Sequence, residues 1–338
     1  MAAYTTIDDP EAYFQVKAYT GNGTAIGSGG QSLTLDGDTD LSPNMIWFKE
    51  RNSTSNHALF DTVRGATKYL IPDGNFTEAT DTETLTAFNS DGFTVGSASA
   101  ENRDGNLFVA WCWKESATAG FDIVSWTGDG TSQDISHNLS AVPTTIIVKN
   151  RSAEVDWYMY NVNNGNTHSL VLNSNAAKAG AYSDNWNNTT PTSSVFTVGS
   201  SQSTGGSSGN NMIAYVFTDI QGFSKVNGFY TGNGNADGPF LYTGFRPSLV
   251  IWKKTSATGA WPMYDIKRDT VNPMTKRIQA SDNDTEADQS AAAIDFLSNG
   301  IKLRTTDSEW NGSGVSYVFM AFAEQPFVNS NGVPCNAR

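Results

Sequence analysis

Apolar residues along this chain come in short runs, broken about every ten positions by Gly, Pro, Asn, Asp or Ser. Nowhere do they hold the three-and-four spacing of a long amphipathic helix. Segments such as "FDIVSW" (121–126) and "GIKLRT" (300–305) alternate apolar with polar, the period of a strand with one face in water. Others are apolar at successive positions: Ile46, Trp47 and Phe48; Ile146, Ile147 and Val148; Val250, Ile251 and Trp252. A strand apolar on both faces is covered on both, as in the centre of a sandwich or against a neighbouring domain. The closing run "YVFMAFA" (317–323) has the same character. One stretch, "TVNPMTKRIQA" (270–280), carries helical character, but it is short and holds a Pro. The pattern predicts an all-β protein of antiparallel β-sandwiches, jelly-roll or lectin-like.

The pattern also recurs. "YTGNG" begins at Tyr19, "WTGDG" at Trp126 and "YTGNG" again at Tyr230, offsets of 107 and 104 residues. A Lys follows a Pro by six residues in each unit: Pro43 and Lys49, Pro143 and Lys149, Pro247 and Lys253. Phe60-Asp61, Tyr160-Asn161 and Tyr264-Asp265 come next, and each unit closes on an aromatic-rich strand. Independent landmarks in one register predict three tandem repeats of about 105 residues, at 1–118, 119–221 and 222–338. The links "KESATAG" (114–120) and "DIQG" (219–222) are too short for independent tumbling, so a compact three-lobed body is expected.

The recurring pentapeptide resembles the start of a phosphate-binding loop, with Gly21 and Gly23, Gly128 and Gly130, and Gly232 and Gly234 in G-x-G. A dinucleotide loop occurs once and opens a helix. This motif occurs once per repeat with no periodic helix after it. Asn-Gly and Asp-Gly are favoured in type I′ hairpin turns, where both residues take φ > 0. Three equivalent β-turns are therefore expected, and no nucleotide.

Charge and composition narrow the partners. The chain has 34 acidic against 21 basic residues, net −13, and no basic stripe, which excludes a nucleic-acid binder of the usual kind. No apolar run is long enough to cross a membrane as a helix, and the N-terminal stretch lacks the features of a signal peptide. The expectation is synthesis in a host cytoplasm without membrane insertion. Cys112 and Cys335 make neither a disulfide framework nor a metal motif.

Candidate chemistry is thin. His57, His137 and His168 fall at different places in their repeats and have no ligand spacing. "GGSSG" (205–209) has the letters of a nucleophile elbow but lies in a loop between the last two strands of its repeat. "DGDTD" (36–40) begins like a calcium loop and lacks the rest, so it reads as a solvated turn. No cofactor, metal or catalytic residue is expected. Asp61-x-x-Arg64 and Asp265-x-x-Arg268 read as charge pairs that pin loops, replaced by Asn161 and Asn164 in the second repeat. Trp157, Trp186, Trp261 and Trp310 sit among polar neighbours. They are expected either to stack on sugar rings or to pack between domains or subunits.

With the repeats laid out, "YFQVKAYTGNG", "WFKERN", "FDTVRGATKYL", "VAWCWK" and "GFSKVNGFYTGNGNADGPFLYTGFRP" resemble a family of phage-encoded proteins common in phages of marine bacteria. These are described as virion structural proteins and sometimes carry lectin-like labels. The resemblance covers essentially the whole chain and is weakest in the second repeat. It implies a non-enzymatic virion protein, first of all a tail-associated fibre or appendage, homotrimeric, contacting other virion proteins and host-surface glycans. A capsid decoration or head-fibre protein bound to the shell is the alternative, and a polysaccharide depolymerase a weaker one.

Overall fold

The computed structural model describes residues 3–180, 182–290 and 293–335. The chain is all-β, with 40% strand against 6% helix, and its sheets are antiparallel and unclosed. One large sheet orders strands Phe14–Thr20, Leu107–Trp113, Met45–Glu50 and Ala58–Asp61. A second runs Phe121–Thr127, Asn211–Phe217, Thr145–Asn150, Tyr158–Asn161, His168–Val171 and Ala179–Gly180. A third runs Ser224–Thr231, Ser316–Pro326, Phe245–Lys254, Pro262–Asp265, Lys276–Gln279 and Ala287–Asp288. Each large sheet is accompanied by a small one from the same stretch of chain: three strands around Phe93–Val95, two around Val195–Val198, three around Gly300–Leu303. No described sheet mixes strands of different segments.

The doubly apolar strands explain where the cores sit. In Met45–Glu50 every residue is buried, and its neighbours alternate between two cores. Ile46, Phe48, Phe60, Ala110 and Cys112 meet Leu33, Phe93 and Val95 of the small sheet. The intervening Met45, Trp47, Leu59, Val109 and Trp111 point the other way, into a core shared with Ile147, Met159 and Tyr215 of the second segment and Ile251, Met263 and Met320 of the third. The second segment repeats this division, with Ile146, Val148, Tyr160 and Val216 turned to Ile135, Phe196 and Val198. A period of two therefore gives each strand one side chain for its own sandwich-like layer and the next for the common centre. Each such Ile, Phe or Met buried on either face stabilises by about 1.5–3 kcal/mol. At the common centre only a void of about 30 Å³ is left, the space of about one water.

Two expectations need correcting. Residues 270–280 are not helical: Lys276–Gln279 is a strand paired to Pro262–Asp265, with Ile278 buried between half-buried neighbours. Packing in a period of two overrides the local propensity, and the Pro precedes the strand. The second correction concerns the glycine motif, which is not a type I′ hairpin. Only its last residue has positive φ: Gly23 at 63°, Gly130 at 82° and Gly234 at 66°. The motif instead lies along the chain returning toward the last strand. Gly21 N–H donates to the Asn106 carbonyl, Asn22 N–H to Asn102 Oδ1 and Gly23 N–H to the Asn102 carbonyl. Gly232, Asn233 and Gly234 repeat this against Val315 and Asn311. A Cβ on Gly21, Gly128 or Gly232 would lie 2.3–2.5 Å from the carbonyl oxygen of Arg103, Gly205 or Gly312. The first glycine thus permits close approach and the last a left-handed turn. In the first and third copies all three motif amides, and in the second both glycine amides, are spent on the chain itself, which leaves no nest of amides to hold a phosphate.

Short helices Ser99–Asn102 and Ser308–Asn311 carry the two asparagines that anchor the motif, both fully buried. The recurring "S-x-x-N" of "SAEN" and "SEWN" was their one signal.

Candidate functional site

The residues that recurred in the sequence converge where segments meet. The three lysines six positions after Pro are fully buried, and each aims its ammonium at a carbonyl of another segment. Lys149 Nζ donates to the Asn75 carbonyl at 3.0 Å, Lys253 to Ser174 at 3.1 Å and Lys49 to Asn283 at 3.2 Å. Second thus binds first, third binds second, and first binds third. Carbonyls of each lysine's own loop complete the cage, such as Ser55 for Lys49 and Gly259 for Lys253. Burial pulls all three ammonium pKa values down to about 8, against nearby carboxylates that act in the opposite sense. Backbone bonds follow the same cycle: Glu78 N–H to the Arg151 carbonyl, Lys178 N–H to Thr255, and Glu286 N–H to Arg51.

The two D-x-x-R motifs are intramolecular clamps, as their spacing suggested. Arg64 Nε meets Asp61 Oδ2, and Arg268 Nε meets Asp265 Oδ2, at 2.6 Å in both, with all four side chains fully buried. Arg64 also donates to the carbonyls of Leu59 and Lys68, and Arg268 to those of Met263 and Lys276. Each clamp is completed across a seam. Tyr215 of the second segment donates to Asp61 at 2.6 Å, and Trp111 of the first donates to Asp265 at 3.0 Å. Arg151 and Arg51 grip Glu78 and Glu286 with paired bonds of 2.8–2.9 Å, and those glutamates also face Arg64 and Arg268. The second segment's departure now has a reason. The strand position of Trp111 and Tyr215 holds Met320 in the third segment, which has no proton to donate. The acceptor facing that seam is Asn161, which donates instead to Thr145 and to the Val226 carbonyl.

The four tryptophans offer no face to a sugar. Trp157 and Trp310 are 0% exposed, Trp186 and Trp261 2%. Trp157 Nε1 donates to the Ile71 carbonyl of the first segment and Trp261 Nε1 to Val171 of the second, so these two seal seams inside the chain. Trp186 and Trp310 lie within their own segments, against Tyr160 and Tyr264. Stacking on glycans through these rings is withdrawn, and so is their use between subunits. Their polar neighbours misled because they are themselves anchors: Asn185, beside Trp186, is buried and bonds Ser169. His57 stands where the other segments have Trp157 and Trp261. Trp47 compensates across the strand pair, where they have Ile147 and Ile251, and donates to His57 Nδ1 at 2.8 Å. Burial drives the His57 pKa well below its usual value. Backbone groups of Gln279 and Asp282 lie near enough to oppose part of that effect, yet none hydrogen-bonds Nε2.

Nothing among the described residues groups three or more His, Cys, Asp or Glu as a metal site. The acidic turn at 36–40 is tied down, with Asp36 on Lys17 and Thr39 on Asp9. Both cysteines are free thiols. Open cavities among the described residues include one of about 380 Å³ on the first segment and one of about 300 Å³ where the second segment meets the third.

A family model described as a domain of unknown function (DUF7483) matches residues 9–326. The chain belongs to this family. The match spans every seam of the DUF7483 fold described above. Comparison with curated proteins gives no match, nor does comparison with solved structures.

Proposed function

We propose that the chain is a non-enzymatic structural protein of a phage virion, a tail-associated appendage, built as three β-sandwich repeats closed into a ring. The cycle of buried lysine-to-carbonyl bonds, repeated at all three seams, carries this reading: it ties each of the three segments to the other two. Such cross-linking suits a part that must persist outside a cell. It spends the recurring polar residues on architecture and leaves no nucleophile–base pair among them. Likeness of the sequence to phage virion proteins supplies the setting, and contact with host-surface glycans completes the proposal. Antibody labelling of intact particles under the electron microscope tests it. Signal on the tail or its fibres is expected. Signal over the head would replace the appendage with a capsid decoration protein, and particles without signal would overturn the virion reading.

A further inference from the structure

The larger open cavity lies on the first segment at its seam with the third. Thr54, Ser55 and Asn56 line one side, Tyr69 and Ser99 another, and Asn283 of the third segment reaches across. Ala58 is part of its wall. At the strand position occupied by Tyr158 in the second segment and Pro262 in the third, the first has Ala58, paired with Phe48 as Tyr158 is with Val148. A methyl stands where the second segment has a phenol.

Its lining is uncharged but mixed: Ala58, Ile71 and Ala100 give it an apolar part, and buried His57 lies among the polar groups. The hydroxyls of Thr54, Tyr69 and Ser99 have no hydrogen-bond partner among the described residues, and Asn56 uses its amide oxygen on Asn283 while its NH₂ group is unengaged. No Lys, Arg, Asp or Glu lines the cavity. The cavity where the second segment meets the third differs on both counts. Asp219 and Lys225 pair there at 2.6 Å, and Ser224 and Thr243 bond backbone carbonyls. Uncharged donors and acceptors beside one half-buried aromatic ring match a ligand with many hydroxyls and an apolar face. A volume of about 380 Å³ is at the small end of ligand sites, room for one or two sugar rings.

We propose that this cavity binds a neutral saccharide, with the Tyr69 ring against one sugar face and the hydroxyls and amides of Thr54, Asn56, Ser99 and Asn283 on its edge. It deepens the host-glycan part of the proposed function and rests on it only for the source of the sugar.

The test is calorimetric titration of the intact chain with glucose, galactose, N-acetylglucosamine, maltose and the anionic sialic acid. At least one neutral probe is expected to bind, with sialic acid at least ten-fold weaker. Tyr69→Ala should weaken binding ten-fold or more. Ser99→Gln, at an exposed helix position that cannot unfold a core, should block the mouth and do the same. Tyr242→Ala, in the other cavity, should change nothing. Absence of binding by every neutral probe overturns the proposal, as does binding that follows Tyr242 and ignores Tyr69 and Ser99. Labelled particles with no saccharide binding would remove the pocket and leave the virion reading. Saccharide binding by a chain absent from particles would do the reverse.

Discussion

At the scale of single residues, glycines and buried acids set the sharpest constraints. Gly232→Ala places a methyl 2.3 Å from the Gly312 carbonyl and should cost about 1–3 kcal/mol in urea denaturation. Gly27→Ala, with open space around it and no positive φ, should be close to neutral. Glu101 is buried with neither carboxyl oxygen bonded, and burial raises its pKa from 4.5 to about 8. The folded state therefore holds a proton that the unfolded state releases above about pH 4.5. Stability from this group is full below that pH and is lost as pH rises toward about 8. Glu115, raised to about 7, and Asp73, raised to about 6, act in the same sense. Buried His57, with its pKa held low, opposes them below about pH 6.5, so denaturation midpoints should fall most clearly from about pH 6.5 to pH 8, and Glu101→Gln should flatten much of that slope. The glycine spacing was legible in the sequence, but its cause was not. Asn-Gly fits a hairpin turn equally well until the Asn102 and Asn311 anchors appear from some 80 residues away.

Between elements, the clamps couple a strand of one segment to a loop of the next. Asp265→Ala leaves Arg268 buried without its carboxylate and should cost about 3–5 kcal/mol. Trp111→Phe removes one bond to that carboxylate and should cost about 1.5–3 kcal/mol. A double-mutant cycle between them should show clear coupling across the seam. Asn161→Asp should destabilise the second segment, because no arginine awaits the new charge and the neighbouring Thr145 hydroxyl already donates to the Val226 carbonyl. The D-x-x-R pair was legible as a clamp, since two charges three apart on one loop can meet without help from elsewhere. Its third member was not, because Tyr215 and Trp111 lie 154 residues from their acceptors and read as ordinary core aromatics. The tryptophans failed for the converse reason, polar neighbours having been taken for solvent when they were hydrogen-bonded supports.

Across the whole molecule, the three repeats of one chain close on one another through the lysine-to-carbonyl bonds. A ring already closed at Lys49 and Asn283 has its central faces occupied, so light scattering should return a mass near 36.4 kDa and not three times that. A trimer in solution would show that further faces are used. Residues 4–8 also lie beside residues 327–330. Ser330 N–H donates to Asp8 Oδ1 at 2.6 Å, and the Tyr4 ring lies 6.2 Å from Phe327. Where a polypeptide starts along such a loop is then arbitrary. A circular permutant with residues 4 and 330 joined by a short linker and new ends cut in the 114–120 link should fold, keep all three lysine cages and melt near the parent. The order of the three segments in the gene would then be a matter of history, and the order around the ring a matter of chemistry.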